Sequence, residues 1–219
     1  MVNHIFMTNM SVCLMLRKLV SFTSAEQAIL RALDTPIKIQ NYLQKLAHHG
    51  KNTKDTIFSP RRVMREQKAH CIEGALLAAV ALWYHGERPL LMDLKSNPYD
   101  FDHVVALYRK FGKWGAISKT AHAVLRYRDP VYQTPRELAM SYFHEYFSDN
   151  GIKTLRSYSE PFDLSKLKDT SWITSGKNLW YISNLLDKSP HHAILNRPMI
   201  ASLRRADPIE IAAGKLIDV

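Results

Sequence analysis

From Cys71 to Tyr84 the chain reads Cys-Ile-Glu-Gly-Ala-Leu-Leu-Ala-Ala-Val-Ala-Leu-Trp-Tyr, apolar on every side of a helix except at Glu73. Gly86 stands where such a helix would stop. A helix without a polar face belongs at the centre of a fold, with other layers built around it. A chain of 219 residues, 46% of them hydrophobic, can supply those layers, and its length favours one domain with at most a small appendage. The run is too short to span a bilayer, and no second candidate span is present. The N-terminal Met-Val-Asn-His-Ile-Phe lacks the basic start of a secretory signal, and Arg17 and Lys18 follow the apolar residues instead of preceding them. These features predict a cytoplasmic protein without a membrane partner.

Around the central run the pattern is mixed. Residues 24–33 start on a capping-type Ser and have a helix-forming composition, and Asp34-Thr35-Pro36 opens a second helix through about Leu46. His48 to Pro60 is polar, contains Gly50, and reads as a loop. After the central helix come three extended segments, Pro89–Leu94, His103–Arg109 and Trp114–Thr120. Lys110-Phe111-Gly112-Lys113 joins the last two as a tight hairpin. Val124–Tyr132 reads as an edge strand because of Pro130. Helical patterns return at Pro135–Phe147 and at about 178–186. The class is α+β: a buried Cys-bearing helix on a short antiparallel sheet, flanked by N- and C-terminal helices. Three stretches are expected: an N-terminal helical segment (1–60), a core (61–150), and a C-terminal helical extension packed on the same domain (151–219).

The formal charge of +10 is concentrated in two blocks. Residues 51–70 carry Lys51, Lys54, Arg61, Arg62, Arg65 and Lys68 against Asp55 and Glu66, and residues 104–136 carry seven Lys/Arg against Asp129 alone. No helix-turn-helix or RNA-binding signature accompanies them, so a nucleic-acid partner is not expected. Because the blocks flank Cys71 and His103, an acidic substrate, peptide or partner explains them equally well.

Chemistry centres on Cys71. At the first turn of a helix, unpaired N–H groups and the positive end of the dipole favour a thiolate over a thiol; a buried cysteine otherwise packs as a small hydrophobe, and Cys13 is read that way. A thiolate that performs acyl transfer needs a base. His103 opens a strand, and a two-residue turn at Phe111-Gly112 sets the hairpin register: Lys110 opposite Lys113, Leu107 opposite Ala116, Val105 opposite Ser118. Ser118 and Thr120 then share the face of His103, while Asp102 projects to the other side.

Cys71-Ile72-Glu73-Gly74-Ala75 at a buried helix start, Asp102-His103-Val104-Val105-Ala106-Leu107-Tyr108, and Gly112-Lys113-Trp114-Gly115-Ala116-Ile117-Ser118 together resemble the core of the transglutaminase-like superfamily, with its papain-like cysteine fold. The resemblance covers residues 65–120, about a quarter of the chain. It implies a Cys-bearing helix joined to strands that carry a His and then an acid. Ser118 stands at the acid's position, and Asp93 and Asp129 are the alternatives. The resemblance further implies a cysteine hydrolase or acyltransferase acting on a peptide or small amide. The alternative is a catalytically silent domain of the same fold that binds a peptide or an acidic partner. Catalytic candidates are therefore Cys71, His103 and Ser118. Gln67 is a weaker candidate, as an oxyanion donor. His70 is expected to point away from its neighbour Cys71, and neither His48-His49 nor His191-His192 shows zinc-ligand spacing, so no metal or cofactor is assigned.

Overall fold

In the computed structural model, which describes residues 20–49 and 56–217, helices and one antiparallel sheet share a core, an α+β architecture. Cys13, Gly50, Lys51, Lys54 and Asp55 lie outside the described residues. Among the described residues no helix is long and apolar enough to cross a membrane.

The N-terminal pair forms as its caps predict. Helix α1 (Ser24–Ala32) begins on a Thr23–Glu26 capping box, and α2 (Pro36–Lys45) begins on Thr35 with Pro36 in its first turn. Helix α3 (Pro60–Glu66) is capped by Ser59 and ends at Gln67 in a left-handed conformation, φ 52°. Helix α4 (Cys71–Tyr84) is the central one, with every residue after Cys71 buried.

Strands β1 (Leu90–Ser96), β2 (His103–Lys110), β3 (Lys113–Ile117) and β4 (Arg128–Tyr132) form the expected meander. The β2–β3 hairpin has Leu107 opposite Ala116 and Lys110 opposite Lys113. Its turn residues Phe111 and Gly112 both have positive φ, 54° and 75°, as a turn matching the strand twist requires. Both faces of β2 are covered. Val104, Ala106 and Tyr108 pack with α4, while Val105 and Leu107 pack with Leu138, Tyr142 and Phe143. The strand is therefore apolar at consecutive positions until Arg109 and Lys110 leave the core.

Three differences from the sequence reading have physical causes. The sheet is not confined to the meander: β5 (Leu155–Ser159), β6 (Phe162–Asp163) and β7 (His191–Ala193) bring it to seven strands among the described residues, with β5 and β6 pairing directly with β1. The C-terminal third is thus part strand and part helix (α6, Trp180–Asp187; α7, Arg197–Ala201; α8, Pro208–Gly214). These strands are too short and too rich in Ser and His to show a period-2 pattern. The helix expected over Pro135–Phe147 ends at Met140 (α5) and resumes as a single 3-10 turn at Phe143–Glu145; the Ser141 hydroxyl donates to the Leu138 carbonyl across the break, 2.6 Å. Strand β3 stops before Ser118 because the buried Gln40 amide takes both backbone groups of Ser118, accepting from its N–H at 2.9 Å and donating to its carbonyl at 2.8 Å.

Candidate functional site

The site lies where the N-terminus of α4 meets the start of β2 and the end of β3. Gly74 permits the approach: a Cβ there would come within 2.5 Å of the Lys119 Cβ. Cys71 is partly exposed, with its Sγ 4.0 Å from the Asp102 carbonyl oxygen. Burial pushes the thiol up, but His103 and His70, both within interaction range, overcome it and hold Cys71 well below the usual thiol range.

His103 is buried, and its Nε2 lies 2.8 Å from the Ser118 Oγ. Ser118 donates its only proton to the Leu125 carbonyl at 2.6 Å. Its oxygen therefore accepts from His103, which places a proton on Nε2 and leaves Nδ1 as the nitrogen available to Cys71. The Leu125 backbone is left-handed, φ 59°, a conformation costly for a residue with a side chain. Its N–H donates to Glu145 Oε2 at 3.0 Å, and that oxygen is paired with Arg128 at 2.7 Å. This short turn aims a carbonyl at Ser118, and nothing in the local sequence pattern announces it.

Asp102 does not reach the His103 ring; its carboxylate accepts from the Ser96 N–H at 2.7 Å, as its position on the opposite face predicts. Asp129 is exposed on β4. Asp93 is buried and pairs with His191 Nε2 at 3.2 Å. Gln67 donates its amide to Tyr42 Oη, 2.8 Å, and to the Met64 carbonyl, 2.5 Å, which turns it away from Cys71. The first amides of α4 lack intrahelical acceptors and are the backbone donors beside Cys71.

His70, expected to point away, turns toward the thiol. It is the extended residue before α4, and its Nε2–H donates to the Thr56 carbonyl at 2.5 Å. Burial opposes its charge, but Cys71, Glu73 and the Thr56 carbonyl raise its pKa to about 9. Glu73, the polar exception in α4, is fully buried and anchors this corner. Its Oε1 accepts from Thr56 Oγ1 (2.8 Å) and from the Phe58 N–H (2.7 Å), and its Oε2 accepts from the His70 N–H (3.1 Å). His49 completes the network, donating through Nδ1 to Thr56 Oγ1 at 3.0 Å.

Among the described residues, two groups of side chains bring metal-type ligand atoms within 4.8 Å of one another: His49, His70 and Glu73, and Asp93, Asp102 and Asp187. In the first, both Glu73 oxygens and the His70 Nε2 are engaged in the hydrogen bonds just described, which orient the start of α4. The second lies along the cavity that opens onto Cys71 and His103. No protein-family model matches the chain, and no curated protein matches it.

Proposed function

We propose that the protein is a transglutaminase-like cysteine hydrolase or acyltransferase acting on a peptide or small amide, with Cys71 as nucleophile and His103 as acid and base. The observation that carries this reading is the directed line Leu125 carbonyl, Ser118 hydroxyl, His103 Nε2–H, which leaves His103 Nδ1 free to serve the thiol. A neutral third member is compatible with this chemistry, because a cysteine–imidazole pair needs the ring oriented more than it needs a carboxylate behind it; the Cys-His-Asn sites of papain-like proteases work this way.

The proposed steps are those of a cysteine–imidazole pair. The Cys71 thiolate attacks the amide carbon, and the oxyanion forms beside the first amides of α4. The His103 imidazolium gives its Nδ1 proton to the leaving nitrogen as the C–N bond breaks, which leaves a thioester. Water, or an amine, then loses a proton to Nδ1 as it attacks the thioester; the C–S bond breaks, the acid or new amide leaves, and the released Cys71 thiolate and the His103 imidazolium restore the ion pair. His70 adds a second positive charge beside the sulfur and favours the thiolate in the resting state.

The test is hydrolysis of a mixed peptide-amide library, together with iodoacetamide labelling of Cys71. Turnover abolished by Cys71→Ala and by His103→Ala, with Cys71 labelled well below the pH at which a free thiol reacts, is the expected result. A Cys71 that reacts like a model thiol refutes the reading. The hydroxyl in place of a carboxylate at Ser118 favours a second reading, a catalytically silent domain of the same fold that holds a peptide or acidic partner. Inert Cys71 combined with salt-sensitive partner binding would select it.

A further inference from the structure

Away from the catalytic cavity, a smaller cleft of about 200 Å³ lies between the residues that lead into β5 and the segment that joins α7 to α8. It shares no lining residue with the cavity at Cys71. Four cationic side chains line it, Lys153, Arg156, Arg204 and Arg205, and among the described residues no carboxylate does. Neither basic block of the sequence contains them. The backbone holds the two segments together, the Ala206 N–H donating to the Gly151 carbonyl at 2.9 Å. Gly151 has a positive φ of 80° there, and a Cβ on it would come within 2.8 Å of Ile211.

We infer that this cleft binds a phosphomonoester, at a site separate from the proposed cysteine chemistry. Three observations set the ligand. The first is uncompensated charge. Lys153 is 8% exposed, yet among the described residues its ammonium meets no carboxylate and no hydrogen-bond acceptor, a costly state for a cation held that deep. Burial lowers the Arg156 pKa, and no acid counters the effect. Of the four charges only Arg204 is offset, by Asp207, which leaves three. A surplus of this size suits a dianion better than a carboxylate, and a phosphomonoester carries about −1.5 to −2 charge at pH 7 with three acceptor oxygens. The second is preorganisation. Arg156 Nη1 donates to the Lys153 and Leu155 carbonyls, both at 3.0 Å, which fixes the guanidinium and leaves its Nε–H and Nη2–H edge for two oxygens of one oxyanion. The third is size. About 200 Å³ is less than the roughly 300–1,000 Å³ of sites that enclose a drug-sized ligand, so the cleft takes the phosphoryl group and the few atoms beside it. Ile200 and Leu203 line it too, so those neighbouring atoms are apolar.

The experiment is isothermal titration calorimetry of the full chain with phenyl phosphate and with benzoate, at one ionic strength set with chloride. Phenyl phosphate should bind saturably at one site, about tenfold tighter than benzoate, which lacks the second charge and the third oxygen. Arg205→Gln, at an exposed position whose change spares the core, should weaken phenyl phosphate about tenfold, the loss of one charge-assisted contact. Lys153→Gln should weaken it at least as much; that position is buried, so circular dichroism checks its folding, and Arg205→Gln decides the matter if it does not fold. Sedimentation with phosphatidylcholine vesicles containing phosphatidate identifies the source of the group once phenyl phosphate is seen to bind. Pelleting that Arg205→Gln abolishes places the phosphate on a lipid headgroup, and no pelleting places it on a soluble molecule; either supports the site. Absence of saturable phenyl phosphate binding overturns it, as does an affinity equal to that of benzoate or unmoved by Arg205→Gln.

Discussion

Replacing Ser118 with Ala tests the line from Leu125 to Cys71 most directly. Ser118 and His103 are 1% and 6% exposed, so water does not take the hydroxyl's place. Ser118→Ala leaves the His103 Nε2–H and the Leu125 carbonyl without the partners they have at 2.8 and 2.6 Å. Two buried polar groups deprived of partners, at about 1–3 kcal/mol each, cost about 2–6 kcal/mol of stability. The effect on reactivity is separate. In the proposed ion pair the His103 ring is the cation, and its Nε2–H···Oγ bond is then a bond to a charged donor, worth about 1.5–3 kcal/mol. At about 1.4 kcal/mol per factor of ten, its loss removes about 10- to 100-fold of the thiolate population. Because His70 still lies beside the sulfur, the lower end, about tenfold, is expected. Iodoacetamide rate constants for Cys71, measured from pH 4 to 9 on folded variants, check this. In Ser118→Ala the rise in rate should move to higher pH, and in Ser118→Ala combined with His70→Gln the profile should approach that of an ordinary thiol. Labelling of Ser118→Ala within about twofold of wild type at pH 6 would refute the reasoning, since Ser118 would then be a packing residue without influence on the imidazole.

Three further outcomes are expected. Glu145→Ala leaves the Leu125 N–H, bonded at 3.0 Å, without its acceptor; it should cost about 1 kcal/mol and shift Cys71 labelling in the same direction as Ser118→Ala but less, and an unchanged pH profile would show that other contacts hold the Leu125 turn. Burial, together with Asp102, raises Asp93 from 3.8 to about 6 despite His191. Its neutral form is therefore the one favoured in the fold: the contribution is fully present below about pH 4 and is lost as pH rises through about 6. Urea unfolding of Asp93→Asn and wild type should diverge across this window, the variant gaining of order 2–3 kcal/mol relative to wild type by pH 7; parallel curves would contradict it. Gly74→Ala drives a Cβ to 2.5 Å from the Lys119 Cβ. It should destabilise by about 1–3 kcal/mol and, by pushing residue 119 outward, slow Cys71 labelling; a fully stable, fully reactive variant would mean that α4 and the end of β3 are not held this close.

Local features of the chain predicted much of this arrangement. The uniformly apolar run announced α4, and Phe111-Gly112 announced the hairpin, because a two-residue turn and a period of two leave one register. That register put His103 and Ser118 on one face before any contact was known, and it excluded Asp102 from the ring. Other parts had no local signature. Gln40 reaches Ser118 from 78 positions away, and His191 reaches Asp93 from 98. The strands that carry Ser159 and His191 are too short for their pattern to stand out from loop. His70 and Glu73 were visible as residues, but their roles depend on the 56–58 segment folding back across the start of α4. Sequence by itself determined the α+β class, the central helix and the shared face of His103 and Ser118, since turn geometry and side-chain alternation act between near neighbours. Tertiary structure alone decided the second histidine beside the thiol, the strained Leu125 turn and the basic cleft. Charge and hydrogen bonding act through space, and only packing brings their partners together.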